Sequence, residues 1–352
     1  MSLNILNAAE VLAQLDTFDT VIDARSESEF ALDHLPGAVN WPTLNDEERK
    51  LVGTMYVQVN QFEAKKRGAA IAARNIAAHI ERDVIDKPKD WKPLAYCWRG
   101  GKRSGSLSLI LDQIGFRVTL VEGGYKAFRA AMLLDIQRIA PTLDWRVVCG
   151  TTGSGKTRLL HALADAGAQV LDLEALANHR SSVLGAIPGL PQPSQKRFDT
   201  LIWDALRRFE PSRPVFVESE SKKVGNVAVP ATLVECMRAS PCLDLNLSMD
   251  ERVALLLEDY DFFVKDRAHF CERLDVLAEF RGKALVQEWK DKVHSGNLHP
   301  VVHDLLVQHY DPVYRQSMLR NFRQYPQART IAPSDRSMEA MRRLALQLLE
   351  LP

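Results

Sequence analysis

The chain has 352 residues, of which 46% are hydrophobic and 26% charged, the balance of a folded globular protein with ample core and enough length for two domains. Lys and Arg equal Asp and Glu at 45 each, which excludes a global field favouring nucleic acid, so any polyanion must meet a local patch. The five cysteines (Cys97, Cys149, Cys236, Cys242 and Cys271) are scattered without a C-x-x-C pair, which argues against a disulfide framework and against a dedicated protein metal site.

The first part alternates short apolar runs with helical stretches. Strands are expected at 21–25, 38–40, 94–96 and 118–121. Helices are expected at 8–15, around 46–82, and at 104–114 with Gly115 as the stop. Such alternation predicts a parallel sheet covered on both faces. Residues 126–144 read as a helix and a connector, with Pro141 ending it. A second unit opens with a strand at 146–149, followed by a helix at 157–166 that stops at Gly167 and a strand at 168–172. Segment 178–195, rich in Ser, Gly and Pro, reads as an exposed loop. A helix at 196–209 precedes strands at 215–217 and 243–247, and 250–322 is almost purely helical. A last strand at 328–331 and an amphipathic helix at 336–350 complete the chain, giving an α/β fold in both halves. The first residues lack a basic segment leading into an apolar one, and no apolar run approaches roughly 18 residues. A reducing cytoplasm without membrane association is the expected setting, and it keeps Cys97 a thiol. The sequence sets no oligomeric state, and a monomer is compatible with it.

Cys97 closes the apolar run Leu94-Ala95-Tyr96 and opens the loop Cys97-Trp98-Arg99-Gly100-Gly101-Lys102-Arg103-Ser104. A strand that delivers sulfur into a Gly-rich loop at a helix start places it in a cup of backbone N–H groups, which favours thiolate and holds an oxyanion beside it. The spacing Cys97…Arg103 is C-x5-R, with Arg99 and Lys102 adding positive charge and Ser104 available to cap the helix. Two chemistries fit this loop: phosphate-ester hydrolysis through a cysteinyl phosphate, and chalcogen transfer through a persulfide or selenosulfide. The other four cysteines lack such a setting and read as core thiols.

Gly150-Thr151-Thr152-Gly153-Ser154-Gly155-Lys156-Thr157 matches G-x-x-x-x-G-K-[ST], with a strand before it and a helix after. Its glycines let successive N–H groups face phosphate, Lys156 bridges the outer phosphates and the Thr157 hydroxyl can ligate Mg²⁺. A carboxylate partner is less sharply marked. Glu218 ends the apolar strand 215–217, Glu220 follows two residues on, and Asp172 ends the preceding strand. Each serves equally as an Mg²⁺ or acid–base group or as the structural partner of a basic side chain. His179, Arg180, Lys222, Lys223, Arg315, Arg320 and Arg323 are candidate polyanion contacts, with Tyr310, Tyr314, Phe322 and Tyr325 among the last group as faces on which bases could stack. A solvated basic helix face is the commoner reading of such clusters.

The run Asp23–Phe30, the turn His34-Leu35-Pro36-Gly37-Ala38-Val39-Asn40, the Cys97 loop and Glu122-Gly123-Gly124-Tyr125-Lys126-Ala127-Phe128 together resemble a rhodanese domain. The resemblance implies that Cys97 is a chalcogen-carrying nucleophile. The loop is longer than most rhodanese loops and is similar to that of rhodanese-fold phosphatases. About sixty residues separate Gly37 from Cys97, so 45–82 reads as a helical insertion. The expected organisation is a rhodanese-like domain at 1–135, a linker at 136–144, and a P-loop NTPase-like α/β domain at 145–352 that contains the helical region 250–322.

A rhodanese domain ahead of a P-loop resembles the tRNA 2-selenouridine synthase family. So do Asn45–Arg49 with Val52-Gly53-Thr54, Asn178-His179-Arg180 and Glu218–Gly225. That resemblance implies replacement of the sulfur of wobble 2-thiouridine in tRNA by selenium. Selenophosphate and geranyl diphosphate are then the small-molecule substrates, an S-geranylated nucleoside the intermediate and Cys97 the selenium carrier, with no tightly bound cofactor. Three other classes remain open from the residues alone: a thiosulfate sulfurtransferase with a nucleotide-binding regulatory domain, a C-x5-R phosphatase, and a non-catalytic tRNA-binding protein.

Overall fold

The computed structural model describes residues 3–182 and 184–350. The chain forms two compact units, 1–136 with 193–204, and 137–192 with 205–352. The first therefore takes in a segment from beyond the P-loop, where the sequence reading drew a single boundary near 136–144. That stretch is the end of a helix, Gly124–Ile139, and a 3₁₀ turn, Ala140–Thr142, rather than an open linker.

The first unit is built on five parallel strands, β1 (Asn4–Leu6), β2 (Thr20–Asp23), β3 (Ala38–Asn40), β4 (Pro93–Tyr96) and β5 (Thr119–Val121), in the order β1-β5-β4-β2-β3. Every residue of β4 is buried, as the apolar run of a central parallel strand requires. Ile22, Trp41, Ile76, Trp91, Ala95, Leu107 and Leu111 form much of the core around it. Cys97 therefore leaves the carboxyl end of the middle strand, where open parallel sheets place their ligands. The insertion is two helices, Asp46–Gln58 and Gln61–Asp83. Asn45 and Glu48 form a capping box on the first, and the Asn60 side chain accepts from the N–H groups of Phe62 and Glu63 on the second. The sequence reading missed β1, whose three residues are too few for a periodicity. It also missed the helix Glu27–Leu32, although Ser26 and Glu29 form its capping box.

In the second unit β6 (Asp144–Cys149), β7 (Gln169–Leu171), β8 (Pro214–Glu218), β11 (Cys242–Leu245) and β12 (Arg329–Ile331) form a parallel sheet in the order β12-β11-β6-β8-β7. Two short strands, β9 (Lys223–Val224) and β10 (Val227–Ala228), pair antiparallel around Gly225-Asn226, where Gly225 has φ +58°. The phosphate loop leaves β6, again the middle strand, and runs into the helix Lys156–Asp165. The region from Met249 to Asn321 is a set of helices whose own core includes Phe263, Phe270, Leu274, Trp289 and Val301.

Segment 178–195 is the irregular loop its composition suggests, exposed at Ala186, at 188–191 and at Gln195, but it is anchored at other points. His179 and Leu184 are buried, and His179 makes a β-bridge with Ala186. The Gln192 amide donates to the carbonyls of Ala177 and Val224, and its oxygen accepts from Asn226 N–H. A Ser, Gly and Pro composition signals irregular backbone and does not reveal which of its residues are held inside. Of the remaining cysteines, Cys149, Cys242 and Cys271 are buried and Cys236 is half-buried.

Candidate active sites at two glycine-rich loops

At the first loop Cys97 is buried, and its sulfur accepts hydrogen bonds from Gly101 N–H and from the Ser104 hydroxyl, both at 3.2 Å. Ser104 thus serves the sulfur from inside the first turn of the helix Lys102–Ile114 and is not the cap residue that the sequence suggested; Gly101 is. The Gly123-Gly124 turn closes the back of the loop. Tyr125 N–H donates to the Cys97 carbonyl at 2.8 Å, and Lys126 N–H to that of Trp98 at 3.1 Å. Gly124, at φ +59°, comes so close that a Cβ there would lie 2.3 Å from the Cys97 carbonyl oxygen and 2.4 Å from Gly100 nitrogen.

A buried network supports this floor. Arg25 is bound to Asp23, the Tyr96 hydroxyl donates to the same carboxylate at 2.7 Å, and the Arg25 guanidinium lies 4.1 Å from the Tyr125 ring centre. Tyr125 in turn donates to Asp33. Trp98 stacks on Tyr125, and Lys196 Nζ lies 5.6 Å from the centre of the Trp98 ring. Arg99, Gly100, Gly101 and Lys102 are exposed at the rim.

Arg103 takes a different place from the one its spacing suggests. Its guanidinium binds Glu29 at 2.7 Å, and Arg49 reaches the same carboxylate at 3.2 Å. Burial works to raise the Glu29 carboxyl, but the Arg103 hydrogen bond and charge outweigh it and hold it below the usual range. Glu29 and Arg49 fall in stretches that carry the family resemblances, but nothing in the sequence marks them as partners of Arg103.

At the second loop Gly150, Gly153 and Gly155 have positive φ values of 149°, 78° and 91°, so the backbone curls as a phosphate cradle does. Ser154 N–H donates to the Thr151 carbonyl, and Lys156 Nζ donates to the Gly150 carbonyl at 2.7 Å. Two distant side chains brace the loop. Arg252 donates to the Thr152 carbonyl from two nitrogens, at 3.0 and 2.8 Å, and forms a bidentate pair with Asp311. The Tyr314 hydroxyl accepts from Gly150 N–H at 2.7 Å and bonds Ser219 at 2.9 Å. Tyr314 is thus part of the loop's frame and not a free stacking face, and Phe322 is buried.

The carboxylates gather at this loop with one addition. Glu174, which the sequence reading overlooked, accepts from the Thr157 hydroxyl at 3.4 Å, and Glu218 accepts from Glu174 N–H at 2.8 Å. Asp172 caps the helix Leu173–Ala177 and lies 3.3 Å from His161 Nε2. Burial, joined by the charge of Glu220, pushes the Glu174 carboxyl up to about 8, with Lys156 opposing. Burial raises the Glu218 and Glu220 carboxyls as well, with neighbouring carboxylates contributing to both. One oxygen of Glu218 is buried without a hydrogen-bond partner.

A cavity of about 1040 Å³ opens over the phosphate loop, lined by Lys156, Thr157, Glu174, Arg180, Glu220 and Tyr314 among others. A polar chamber of about 950 Å³ shares Asn178, His179 and Ser181 with it and also includes Lys223 and Arg273. Arg180 packs 4.5 Å from the centre of the Tyr260 ring, while Lys222, Lys223, Arg315, Arg320 and Arg323 are exposed. Among the described residues no group of three or more His, Cys, Asp or Glu side chains is disposed to hold a metal ion, and no helix is long and apolar enough to cross a membrane.

Comparison with known proteins follows the same division. Residues 7–131 match the rhodanese-like domain family, and residues 143–282 match the family described as the tRNA 2-selenouridine synthase AAA domain. A tRNA 2-selenouridine synthase of Nitrosomonas europaea is 38% identical over 68% of this chain and 63% of its own length. Its counterpart in Nitrosomonas eutropha is 36% identical over 72% of this chain and 66% of its own. The chain thus spans slightly less than two thirds of those two relatives. The tRNA 2-selenouridine synthase of Marinobacter nauticus is 32% identical over 84% of this chain and 87% of its own. A thiol loop and a phosphate loop in this order, inside an alignment that takes in most of both proteins, assign the chain: it belongs to the tRNA 2-selenouridine synthase family.

Proposed function

We propose that this protein is a tRNA-modifying enzyme that replaces the sulfur of wobble 2-thiouridine by selenium. Geranyl diphosphate and selenophosphate are its small-molecule donors, and an S-geranylated nucleoside is the intermediate. The thiocarbonyl sulfur attacks C1 of geranyl diphosphate, the C–O bond breaks and diphosphate leaves. Alkylation turns a poor leaving group into a good one, and selenium then displaces geranylthiolate at C2. The observation that carries this reading is the pairing, in a member of this family, of a sulfur held by two hydrogen-bond donors with a phosphate loop under a large cavity.

The phosphate loop would receive the diphosphate on its N–H groups and Lys156, with the charge that develops on the leaving group met by preorganised donors. Mg²⁺ suits a donor set of hard oxygens, and Thr157 with phosphate oxygens and water would hold it, since this ion keeps several waters. When bound it would neutralise leaving-group charge. Glu174, Glu218 and Glu220 are proposed as the acid–base group beside it, with Asp172 capping the helix that carries Glu174. At the thiol loop Cys97 would deliver selenium at the selenide level: its thiolate attacks phosphorus of selenophosphate and the P–Se bond breaks. The freed selenide is held in the loop for attack at C2, and water then frees the thiol as inorganic phosphate leaves. Arg99 and Lys102 at the rim would attract the anionic donor. Arg103 would act through Glu29, fixing the loop, unless donor binding displaces that carboxylate. His179, Arg180, Lys222, Lys223, Arg315, Arg320 and Arg323 are the proposed tRNA contacts. The cytoplasm is the compartment in which this substrate resides.

Nucleoside mass spectrometry of thiolated tRNA treated with the purified full chain and both donors tests this reading. The Cys97→Ser variant is expected to accumulate S-geranyl-2-thiouridine and form no 2-selenouridine. The Lys156→Ala variant is expected to lose geranylation by about 100-fold or more. Selenation by the serine variant would end the carrier role, and undiminished geranylation by the alanine variant would end the role of the cradle.

A further inference from the structure

The cavity over the phosphate loop is not walled alike on all sides. Thr152, Ser182, Leu256, Tyr260 and Tyr310 also border a second, narrower space, so the two adjoin along a shared wall. This slot runs among the helices Met249–Asp259, Asp261–Lys265 and Leu298–Leu305, past Phe263, Val264, Val302 and Leu306. None of its lining side chains is charged, and its polar atoms are confined to Thr152, Ser182 and the two tyrosines. Leu306 and Tyr310 belong to a π-helical turn, an irregularity that helices often keep where they serve a ligand.

We infer that the slot receives the hydrocarbon tail of the diphosphate donor and measures its length. The proposal rests on reading the loop as a diphosphate cradle, and it adds where the tail goes and what limits it. A phosphate loop with a hydrocarbon slot beside its cavity suits a ligand with an anionic head and an apolar tail, because each part is stabilised only in its own compartment. A nucleobase is a poor occupant: its ring edge carries donors and acceptors, and leaving them unpaired among Leu, Phe and Val side chains is costly. The free volume is about 60 Å³. That corresponds to roughly four to six groups of water size, the girth of a slender chain and not of a fused ring. The slot therefore holds the far end of a ten-carbon tail, and the near end lies in the wider cavity by Thr152. A longer tail must push Val302 or Leu306 aside, both of which are buried. Tail length is thus discriminated by packing, not by hydrogen bonding.

The test is a binding series on the full chain with inorganic diphosphate, dimethylallyl diphosphate, geranyl diphosphate and farnesyl diphosphate. The wild-type protein is expected to bind the geranyl compound at least about tenfold more tightly than inorganic diphosphate, the factor given by burying only two methylenes. Val264→Trp, at a position 38% exposed and so tolerant of bulk, is expected to remove most of that advantage. Val302→Ala is expected to narrow the gap between geranyl and farnesyl. The two changes move selectivity in opposite directions, which a folding defect would not do, and circular dichroism checks each variant. If geranyl diphosphate binds tightly and loses affinity in Lys156→Ala yet is indifferent to both slot substitutions, the slot is wrong and the cradle stands. If no prenyl diphosphate outcompetes inorganic diphosphate in the wild type, the slot falls. If, in addition, Lys156→Ala leaves diphosphate binding unchanged, the cradle falls as well.

Discussion

The two glycine-rich loops share an address and differ in everything built on it. Each leaves the carboxyl end of the middle strand of a five-stranded parallel sheet and runs into a helix. The thiol loop is closed tightly around one atom. Gly100 and Gly124 face backbone, with Gly124 pressed against the Cys97 carbonyl, and the donors that reach the sulfur come from the loop and the first turn of its helix. The phosphate loop is braced from afar, by Arg252 on one carbonyl and Tyr314 on one N–H, and opens on a cavity of about 1040 Å³. A loop that presents a single nucleophilic atom needs a rigid local cup. A loop that receives an extended ligand needs an open floor with supports placed outside it.

This contrast predicts where each loop is fragile. Arg252→Ala should have the largest effect on stability. It leaves the partly buried Asp311 without its cation and frees the Thr152 carbonyl, a loss of up to about 3–5 kcal/mol, the range for a fully buried pair. Urea unfolding would measure it, and the double variant Arg252→Met/Asp311→Leu should recover part of the loss. A loss below about 1 kcal/mol, the range of exposed pairs, would show that the brace is dispensable.

Gly124→Ala comes next, at about 1–3 kcal/mol, because a new Cβ would meet the Cys97 carbonyl and Gly100 nitrogen, which are backbone and cannot swing away. Its chemical signature should be selective, with selenation lost and geranylation kept. Gly155→Ala at the other loop meets chiefly the end of Met341, a flexible side chain, and should be milder despite the positive φ. Equal effects at the two positions would erase the distinction between a locally closed loop and an externally braced one.

The smallest effect is on pH dependence. Glu174 stands at about 8 in the folded chain against an ordinary value of 4.5, so the folded state holds its proton more tightly than the unfolded state does. Stability therefore falls as pH rises from about 4.5 to about 8, and Glu174→Gln should flatten that fall. The same substitution should strengthen diphosphate binding at the alkaline end by removing a negative charge beside Lys156. A steeper decline in the variant would reverse the sign of the argument. No such slope is expected from the thiol loop's carboxylate, Glu29, which Arg103 holds in its charged form.

Much of this was legible in advance because it is local. Both central strands are short apolar runs, and the residues that bend the chain after them follow directly: Gly100 and Gly101 after Cys97, and Gly150, Gly153 and Gly155 before Lys156. Gly115 ends its helix at φ 114°, as its position in the periodicity implied. What failed was also instructive. The segment 178–195 is a loop exposed over 188–191, yet His179 and Leu184 within it are buried, since irregular backbone can be held by side chains such as Gln192 that no pattern marks.

The order of apolar runs, glycines and capping residues determined most strands of the two sheets, the two loops and the place of the thiol, since those depend on hydrogen bonds and dihedral preferences among near neighbours. The companions of each loop were decided only by tertiary structure. Tyr314 is 164 positions from the N–H it meets, Arg252 is 100 from its carbonyl, and Arg103 is 74 from the Glu29 that claims it. Strand order sets those meetings, and with them the burial that raises the carboxyls around Lys156 and the hydrocarbon slot beside Thr152. Burial and juxtaposition are properties of packed space, and a linear string carries them only once it has folded.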